Sequence, residues 1–359
     1  MNLRKVEFTC LILGAACFSA HAEAASTRFA ANQIVIDGDI NIDATALNDS
    51  GTIVGTEFAP ITEHPIGFVM KGTAISVLPP PYDPNGGPYP QAIDKVGNIV
   101  GWAGRGTGDY PSLFYWSAAT KKYNASYEIP LNLIYGSNLG HIVNATGLGA
   151  KGEVFYNLIY NFSASDIPEF GTPGHFAKVP LLSRFVRLNS INATGEVAGI
   201  AFSSTGPGSV FMHDTHGYKL LSPPGAQKAD GGFINASGAV AGSYGARGVS
   251  PLAPGLWHGF VYNAGHYTTF DMPEAASAIS VTGFSDTGRV VGSYTSAATQ
   301  QKHAFLYNGT TVSKFGTYGN AENIFVSINN HSAILVARQF FDQKPNWESY
   351  KVTCSGAGC

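Results

Sequence analysis

One eight-residue pattern recurs along the chain and constrains its fold more than any other feature. Five clear copies are "NDSGTIVG" from Asn48, "DKVGNIVG" from Asp94, "NATGEVAG" from Asn192, "NASGAVAG" from Asn235 and "SDTGRVVG" from Ser285. Two blurred copies, "GAKGEVFY" and "NNHSAILV", place Gly152 and Ser332 where the others have their first glycine. The copies recur every ~40–50 residues, a period that in a strand-rich chain is typical of the blades of a propeller.

The residue types of this octet predict a tight turn followed by a strand. Asn, Asp or Ser opens the turn because its side chain can bond to the backbone two residues further on, and Gly accepts the positive φ that closes it. The β-branched residues that follow, as in "TIVG" and "RVVG", favour a strand. We therefore interpret the octet as the hairpin between the first two strands of a unit, and expect its last glycine to let neighbouring blades approach closely.

A second signature follows each clear octet and predicts a third strand. Its copies are "IGFVMKG", "SLFYWSA", "SVFMHDTHG", "HGFVYNAG" and "HAFLYNGT". Asn308-Gly309 at the end of the last copy is a strong signal for a type I′ hairpin, and segments such as "TVSKFGT" supply a fourth strand. Four antiparallel strands in meander order constitute one blade.

The pairing of the octet with a downstream "HAFLY" strand resembles the HAF-repeat family of exported bacterial proteins. His303 to Tyr307 match the motif that gives the family its name, and "HGF" from His258 nearly matches it. The resemblance covers about 41 to 336 and is weakest in the third unit, about 144–190. It implies a repeat-built, propeller-like secreted protein and assigns no activity to any residue.

Seven turn positions predict an all-β chain folded as a seven-bladed β-propeller of four-stranded antiparallel blades. The last unit contains three strands, "VSIN", "AILVARQFF" and "SYKVTC", while "NQIVIDG" near the N-terminus is a spare strand. We expect this N-terminal strand, Asn32 to Gly38, to pair beside Tyr350 to Thr353. The pairing would close the last blade and remove an exposed sheet edge.

Both ends of the chain carry features of an exported protein. Residues 1–22 have the basic start, apolar centre and "AHA" cleavage site of a signal peptide, which leaves 23–359 as a single propeller domain. Cys17 stands in a sequence that only partly matches a lipoprotein box. No later apolar run reaches the ~20 residues needed to cross a bilayer, so the chain is not expected to be transmembrane. We expect a soluble, secreted or periplasmic monomer in which Cys354 and Cys359 pair as a small terminal disulfide.

Composition argues against nucleic acid as a partner. The chain has a net charge of −3, and only 13% of its residues are charged. Because phosphate backbones are bound through clusters of Lys and Arg, a chain without a basic run lacks the necessary charge. The same argument applies to anionic lipid surfaces.

The candidate site lies in long, Pro/Gly-rich loops that a meander propeller places on one face. These loops are 79–91, 102–112, 161–174 and 242–257. Aromatic rings in them could stack on sugar rings, while nearby charges could bond hydroxyls or a carboxylate; Glu169 is a further such charge. The predicted ligand-binding residues are Tyr82, Asp83, Tyr89, Trp102, Arg105, Asp109, Tyr110, Arg247 and Trp257. We expect a module that binds a glycan or cell-envelope component; the alternative is a polysaccharide hydrolase or lyase with a single site at the channel mouth.

The remaining clusters of polar residues predict structural roles rather than metal binding or catalysis. Asp37, Asp39, Asn41 and Asp43 alternate as calcium ligands do, but the glycine and the bidentate glutamate of such a loop are missing. "HDTH" occupies a predicted turn, and the repeated His258 and His303 are expected to bond within their blades. The sequence contains no G-x-S-x-G, H-E-x-x-H or phosphate-loop motif. No metal and no cofactor is therefore expected.

Overall fold

The described part of the chain consists of antiparallel strands and tight turns. The computed structural model describes residues 5–8, 27–58, 64–104, 112–125, 141–149, 152–160, 166–172, 175–178, 186–202, 208–246, 257–274, 276–318, 321, 323–340, 346–356 and 359. These residues form no α-helix, and none of their segments is a helix long and apolar enough to span a membrane. The predicted all-β class is confirmed.

Six sheets have four strands each, joined in meander order. The first three sheets are β3 (Ile42–Leu47), β4 (Thr52–Glu57), β5 (Ile66–Lys71) and β6 (Ala74–Val77); β7 (Pro88–Ile93), β8 (Ile99–Ala103), β9 (Ser112–Ser117) and β10 (Lys122–Tyr123); and β11 (His141–Leu148), β12 (Val154–Tyr160), β13 (Asp166–Thr172) and β14 (His175–Lys178). The next three are β15 (Val186–Ile191), β16 (Val197–Ala201), β17 (Ser209–Asp214) and β18 (Gly217–Leu221); β19 (Ala226–Ile234), β20 (Val240–Ala246), β21 (Trp257–Asn263) and β22 (His266–Phe270); and β23 (Ala276–Phe284), β24 (Val290–Ser296), β25 (Lys302–Tyr307) and β26 (Val312–Thr317). Each is a propeller blade with its first strand innermost.

The remaining sheet differs from the predicted four-stranded blade because it contains five strands. Its strands are β1 (Lys5–Phe8), β2 (Arg28–Gln33), β27 (Asn323–Ile328), β28 (Ala333–Gln339) and β29 (Trp347–Ser355). Their order is β1-β2-β29-β28-β27, so a segment near the N-terminus pairs with the last strand of the chain.

The N-terminal strand begins and ends earlier than predicted. The sequence pattern placed it at Asn32 to Gly38, whereas β2 ends at Gln33. Asp37 and Gly38 both have positive φ and form a tight turn that leads the chain into the first blade. Ile34 and Ile36 are buried against that blade, so their apolar character reflects core packing rather than a longer strand.

The five-stranded sheet contacts both the first and the sixth blade. On one side, Phe29 of β2 stacks on Phe315 of β26 with ring centroids 4.7 Å apart. On the other side, the buried hydroxyl of Ser349 donates to the backbone oxygen of Ile42 at 2.7 Å and accepts from the nitrogen of Ala44 at 2.9 Å. Because no ladder joins neighbouring sheets among the described strands, such side-chain contacts hold these sheets together.

The two sequence signatures meet each other within one blade. The last glycine of the octet lies directly opposite the phenylalanine of the third strand, and this pairing recurs in five blades. The pairs are Gly55–Phe68, Gly101–Phe114, Gly199–Phe211, Gly242–Phe260 and Gly292–Phe305. Each phenylalanine is almost fully buried. At four of these positions the glycine makes room for a ring and an inner strand of its own blade, so the predicted approach of a neighbouring blade is not its main role. At Gly199 the next blade does approach as predicted, because a β-carbon on Gly232 would lie 2.5 Å from the oxygen of Gly199.

The first glycine of the octet has the predicted backbone conformation. Its φ is 74° at Gly51, 96° at Gly97, 88° at Gly195, 78° at Gly238 and 82° at Gly288. Ser332, which replaces this glycine in the last copy, also has a positive φ of 63°. The turn therefore requires the left-handed region, which costs a residue with a side chain more than it costs glycine.

Replacing Gly195 by valine should lower the free energy of unfolding by about 1–3 kcal/mol, because a β-branched residue would be forced into the left-handed region. A side chain here would meet no atom within 4 Å, so strain rather than overlap sets the cost. Gly195→Asn is the control, since Asn tolerates this conformation, and it should cost clearly less. Equal urea midpoints for the two variants would contradict the assignment of strain.

Candidate functional site

The meander order gives the propeller two chemically different faces. The octet turns and the turns between third and fourth strands lie on one face, called the octet face here. Loops between second and third strands and connections between blades lie on the other, called the loop face. The first strands of the sheets run between the two faces and line a central channel.

On the octet face, the first residue of the octet has two tasks. Its side-chain oxygen accepts from the backbone four residues later, as from Thr52 to Asn48 at 3.0 Å, which closes the turn. Its amide nitrogen also donates to the neighbouring octet. These bonds run from Asn48 to Asp94 (2.9 Å), Asn192 to Asn235 (3.0 Å), Asn235 to Ser285 (3.4 Å) and Asn329 to Asn48 (3.1 Å). Asparagine therefore links sheets as well as shaping turns.

The second residues of three neighbouring octets are also linked to each other by hydrogen bonds. The backbone nitrogen of Asn330 donates to Asp49 at 2.9 Å, and its side-chain amide donates to Asp49 at 3.0 Å and to Asp286 at 2.7 Å. The backbone of Asp286 in turn donates to Asn330 at 2.6 Å. Two carboxylates thus flank one amide at the rim of the channel.

An apolar ring lies immediately inside these turns. The residue that ends each first strand, four positions before the octet's first glycine or its equivalent, is a large apolar one in every sheet. These seven residues, called the apolar collar here, are Leu47, Ile93, Leu148, Ile191, Ile234, Phe284 and Ile328. All seven line one cavity. These residues cannot be recognised from the sequence, because an apolar residue before a turn is equally typical of an ordinary core position.

Among the described residues, two cavities lie along the channel. The octet cavity, of about 420 Å³, is lined by the apolar collar and by octet residues including Asp49, Lys95 and Asp286. The loop cavity, of about 410 Å³, lies nearer the loop face and is lined by Arg187, Asp230 and other residues that differ from sheet to sheet. The octet end of the channel is therefore lined by repeated residues, whereas the loop end is lined by residues of unlike chemistry.

Two predicted aromatic residues lie together near the loop face. Tyr89 at the start of β7 stacks on Trp102 at the end of β8, with ring centroids 3.7 Å apart and planes 13° apart. Phe58 approaches Tyr89 at 6.2 Å from the first blade. All three rings are partly exposed. The strand register brings the first two together, and the three rings form an aromatic group at the seam between the first two blades.

Trp257 occupies the corresponding end of the fifth blade. It begins β21, is partly exposed, and lies opposite Gly245, so that its ring covers the end of β20. The ammonium of Lys228, from the inner strand of the same blade, lies 5.7 Å from the centre of this ring. Such a distance permits a cation–π contact and places a cation beside an aromatic surface.

Tyr82 and Asp83 make structural contacts. The hydroxyl of Tyr82 donates to the backbone oxygen of Leu113 at 2.5 Å, and its ring packs on the core between the first two blades. Asp83 accepts from the backbone nitrogen of Asn85 at 2.7 Å and thereby closes a local turn. Ligand binding by these two residues stays a prediction.

The other predicted binding residues lie outside the described residues. These are Arg105, Asp109, Tyr110 and Arg247. Glu169 belongs to β13, where it pairs with Tyr156 and Lys178.

Asp43 is the ionisable group on an inner strand whose environment perturbs it most among the described residues. It lies near the loop-face end of β3. Burial raises its pKa from 3.8 to about 7, because the charged form loses hydration. A carboxyl group whose pKa burial raises towards neutrality is a candidate for proton transfer, although Asp43 itself lines neither cavity of the channel.

The histidine of the HAF-like strand is tied to the connection between blades, in agreement with the structural role expected for it. In the fifth blade, His258 lies 5.1 Å from Tyr244 and 2.5 Å from the carboxylate of Asp271. In the sixth blade, His303 lies 5.2 Å from Tyr294 and 3.7 Å from Glu274. Each histidine therefore lies between a tyrosine of its own blade and an acid of the one connection that joins the fifth and sixth blades.

Acid should destabilise the fold in two steps. Burial lowers the pKa of His303 below 6.5, so the folded state favours the neutral ring and loses stability as pH falls below that value. Hydrogen bonds from Lys314 and Tyr294 lower the pKa of Glu274 from 4.5 to about 2, so its contribution is present above pH 4.5 and lost as pH falls towards 2. Melting temperatures measured across this range should fall in both windows.

Single substitutions separate the two steps. His303→Gln should flatten the upper step and Glu274→Gln the lower one, whatever each does to stability at neutral pH. His216→Gln is the matched control, because the side chain of His216 is 89% exposed. An upper step that persists unchanged in His303→Gln would contradict the role assigned to this ring.

The terminal cysteines form the expected disulfide, with the Cα atoms of Cys354 and Cys359 5.7 Å apart. The side chain of Arg289, from the sixth blade's octet, donates to the backbone oxygen of Cys359. The disulfide loop is therefore held against the octet face.

The weaker metal hypotheses gain no support from the described residues. Asn41 donates to the oxygen of Phe58 at 3.0 Å and accepts from the nitrogen of Trp347 at 3.0 Å, so its amide joins sheets. His213 lies against the ring of Tyr218, and Asp214 accepts from the backbone of His216 in a turn. Within the part of the chain that the structure describes, no three His, Cys, Asp or Glu side chains are grouped closely enough to hold a metal.

Neither a protein-family model nor a curated protein matches this chain. Solved structures do match it. Oligogalacturonate lyase in complex with manganese has a TM-score of 0.64 and 10% identity, over 99% of this chain and 97% of that one. The β-propeller domain of the Trilobed protease from Pyrococcus furiosus, described as having an open velcro topology, has a TM-score of 0.51 and 10% identity, over 80% and 93%.

TolB from Acinetobacter baumannii matches with a TM-score of 0.42 and 14% identity over 68% of this chain, which spans only 60% of that structure. At such low identities a structural likeness carries no information on ligand or activity. The comparisons therefore show that this chain has a β-propeller fold.

Proposed function

We propose that this chain is an exported β-propeller module that binds a glycan or a cell-envelope component at its loop face. The observation that carries the proposal is the unequal chemistry of the loop end of the channel. Arg187, Asp230, Ser280 and Phe325 line the loop cavity from four different sheets. Stacking rings with a few convergent polar groups are the usual means by which a concave site orients a ligand.

The partly exposed group of Phe58, Tyr89 and Trp102 supports a carbohydrate as the ligand. Aromatic rings offer apolar faces of the size of a sugar ring, and side chains with both donors and acceptors match its hydroxyls. The cation beside Trp257 adds an ionic partner for an acidic sugar. Further ligand contacts are proposed for four residues of the predicted loops: Arg105, Asp109, Tyr110 and Arg247.

Titration of purified protein with a glycan identified by an array tests this proposal. Trp102→Ala and Arg187→Ala should each weaken binding by tenfold or more, which corresponds to ~1.4 kcal/mol. Tyr110→Ala with Arg105→Ala should act in the same direction. Val96→Ser is the matched control, because Val96 is 66% exposed and lies in an octet turn. Loss of binding in the control alone would place the site on the octet face.

A polysaccharide hydrolase or lyase on the same face is the second candidate, and Asp43 is the observation that favours it. A carboxyl group with a pKa of about 7 could donate or accept a proton at neutral pH. If the protein turns over a polysaccharide, the rate should follow an ionisation near pH 7, and Asp43→Asn should remove that dependence. Binding without turnover would exclude this alternative.

The architecture of the exported protein belongs to the same proposal. We infer that the five-stranded sheet acts as a seventh blade and that β2 closes the ring beside β29. Cleavage after residue 22 would remove β1 and leave a four-stranded sheet like the other six. The mature protein would then be a secreted or periplasmic monomer of the HAF-repeat type.

A further inference from the structure

The octet cavity is lined by apolar side chains whose partial exposure is not explained by contacts between sheets. Six of the seven side chains of the apolar collar remain partly exposed, and only Ile234 is buried. Large apolar side chains around an open cavity of about 420 Å³ leave surface in contact with water. Because removing such surface from water is favourable, the collar provides affinity for an apolar group that enters the cavity.

The rim of the same cavity favours one sign of charge. Of its described charged residues, Asp49 and Asp286 are negative and Lys95 is positive. The two carboxylates flank the amide of Asn330. Each oxygen of Asp49 and Asp286 accepts one hydrogen bond from Asn330 or Ala236, and a carboxylate oxygen can accept a second. A cationic donor would therefore find acceptors between them.

From this arrangement we propose a second binding site, in the octet cavity, for a small amphiphilic amine. Its aliphatic or aromatic body would lie within the apolar collar, and its protonated amino group would bond the carboxylates of Asp49 and Asp286. The site lies at the opposite end of the channel from the glycan site and takes a different class of ligand. This proposal is therefore independent of the proposed function, and each can fail without the other.

Two probes of equal chain length test the proposal in the protein comprising residues 23–359. Isoleucine δ1-methyl groups are labelled for NMR, and n-hexylammonium or n-hexanoate is added at neutral pH. Hexylammonium should give saturable shifts at Ile93, Ile191 and Ile328, which belong to the collar. Hexanoate should bind at least tenfold more weakly, because it carries the charge that the two carboxylates repel. The methyl group of Ile53, fully buried in the first blade, reports whether the fold is intact.

Two variants separate the apolar and the ionic contributions. Ile93→Asn should weaken hexylammonium binding about tenfold or more by removing one collar side chain, whereas Val96→Asn, three residues away on the same turn, should not change it. Asp286→Asn should reduce the preference for the ammonium probe. Should Ile93→Asn disturb the Ile53 signal, Ile191→Asn replaces it.

Three results would overturn the proposal. The first is the absence of saturable shifts in the collar, and the second is equal affinity for the two probes. The third is unchanged affinity in the collar variants. Shifts confined to isoleucines near the loop face, such as Ile200, would count as the first of these.

Discussion

Replacing Gly292 by alanine is expected to lower the free energy of unfolding by about 3 kcal/mol, the upper end of the usual cost of overpacking a core. A β-carbon at this position would overlap the backbone oxygen of Ser280 and lie 2.9 Å from the ring of Phe305. Neither neighbour can move easily, since one belongs to the inner strand of the sheet and the other is a fully buried ring. The measurement is chemical denaturation of the purified variant beside the parent.

Gly245→Ala is the matched control for this substitution. Gly245 also lies in the second strand of a blade, but among the described residues the nearest atom to a β-carbon there would be in the ring of Trp257 at 3.6 Å, an ordinary contact. We expect a change within about 0.5 kcal/mol. If Gly292→Ala unfolded at the same denaturant concentration as Gly245→Ala, the pairing of the octet with the HAF-like strand would not be the tight contact described here.

Removal of β2 should have the other large effect. Phe29 is only 7% exposed and stacks on Phe315 of the sixth blade, so Phe29→Ala alone should cost about 3–5 kcal/mol. A chain without residues 27–33 would also leave the ladder of β29 open, and an open edge favours aggregation. We expect this deletion to yield insoluble or unfolded protein.

A chain that begins at residue 23 is the control for the deletion. It lacks β1 but keeps β2, and it should melt as one cooperative unit. A protein lacking residues 27–33 that melts like this control would contradict closure of the ring through the N-terminal strand.

The fold was largely accessible from the sequence because each blade repeats the same local chemistry. Asn, Asp or Ser with Gly at a fixed spacing specifies a turn, and the octets therefore marked the hairpins correctly. The Gly–Phe contact was misread, since spacing alone does not show that the last octet residue lies opposite a residue of the third strand. The end of β2 was misplaced because the buried Ile34 and Ile36 resemble residues of a strand.

The site was less accessible, for physical reasons that individual residues illustrate. The turn alone explains why Asn48 is an asparagine, so the sequence gives no sign of its second hydrogen bond, to the neighbouring octet. Members of the apolar collar are far apart along the chain, and only the ring arrangement brings them to one cavity. Tyr82 was selected by composition, although its hydroxyl is committed to Leu113. Aromatic residues in loops predict a binding surface, but only the structure shows which of their rings remain partly exposed.

The most direct test of glycan binding at the loop face is one experiment with two readouts, binding and product release. Purified protein comprising residues 23–359 is screened on a glycan array, and the glycans it retains are then incubated with it and assayed for new reducing ends and unsaturated products. We predict saturable binding, weakened by Trp102→Ala and Arg187→Ala, without release of product. Release of product, or retention of no glycan at all, would contradict a glycan-binding module at the loop face.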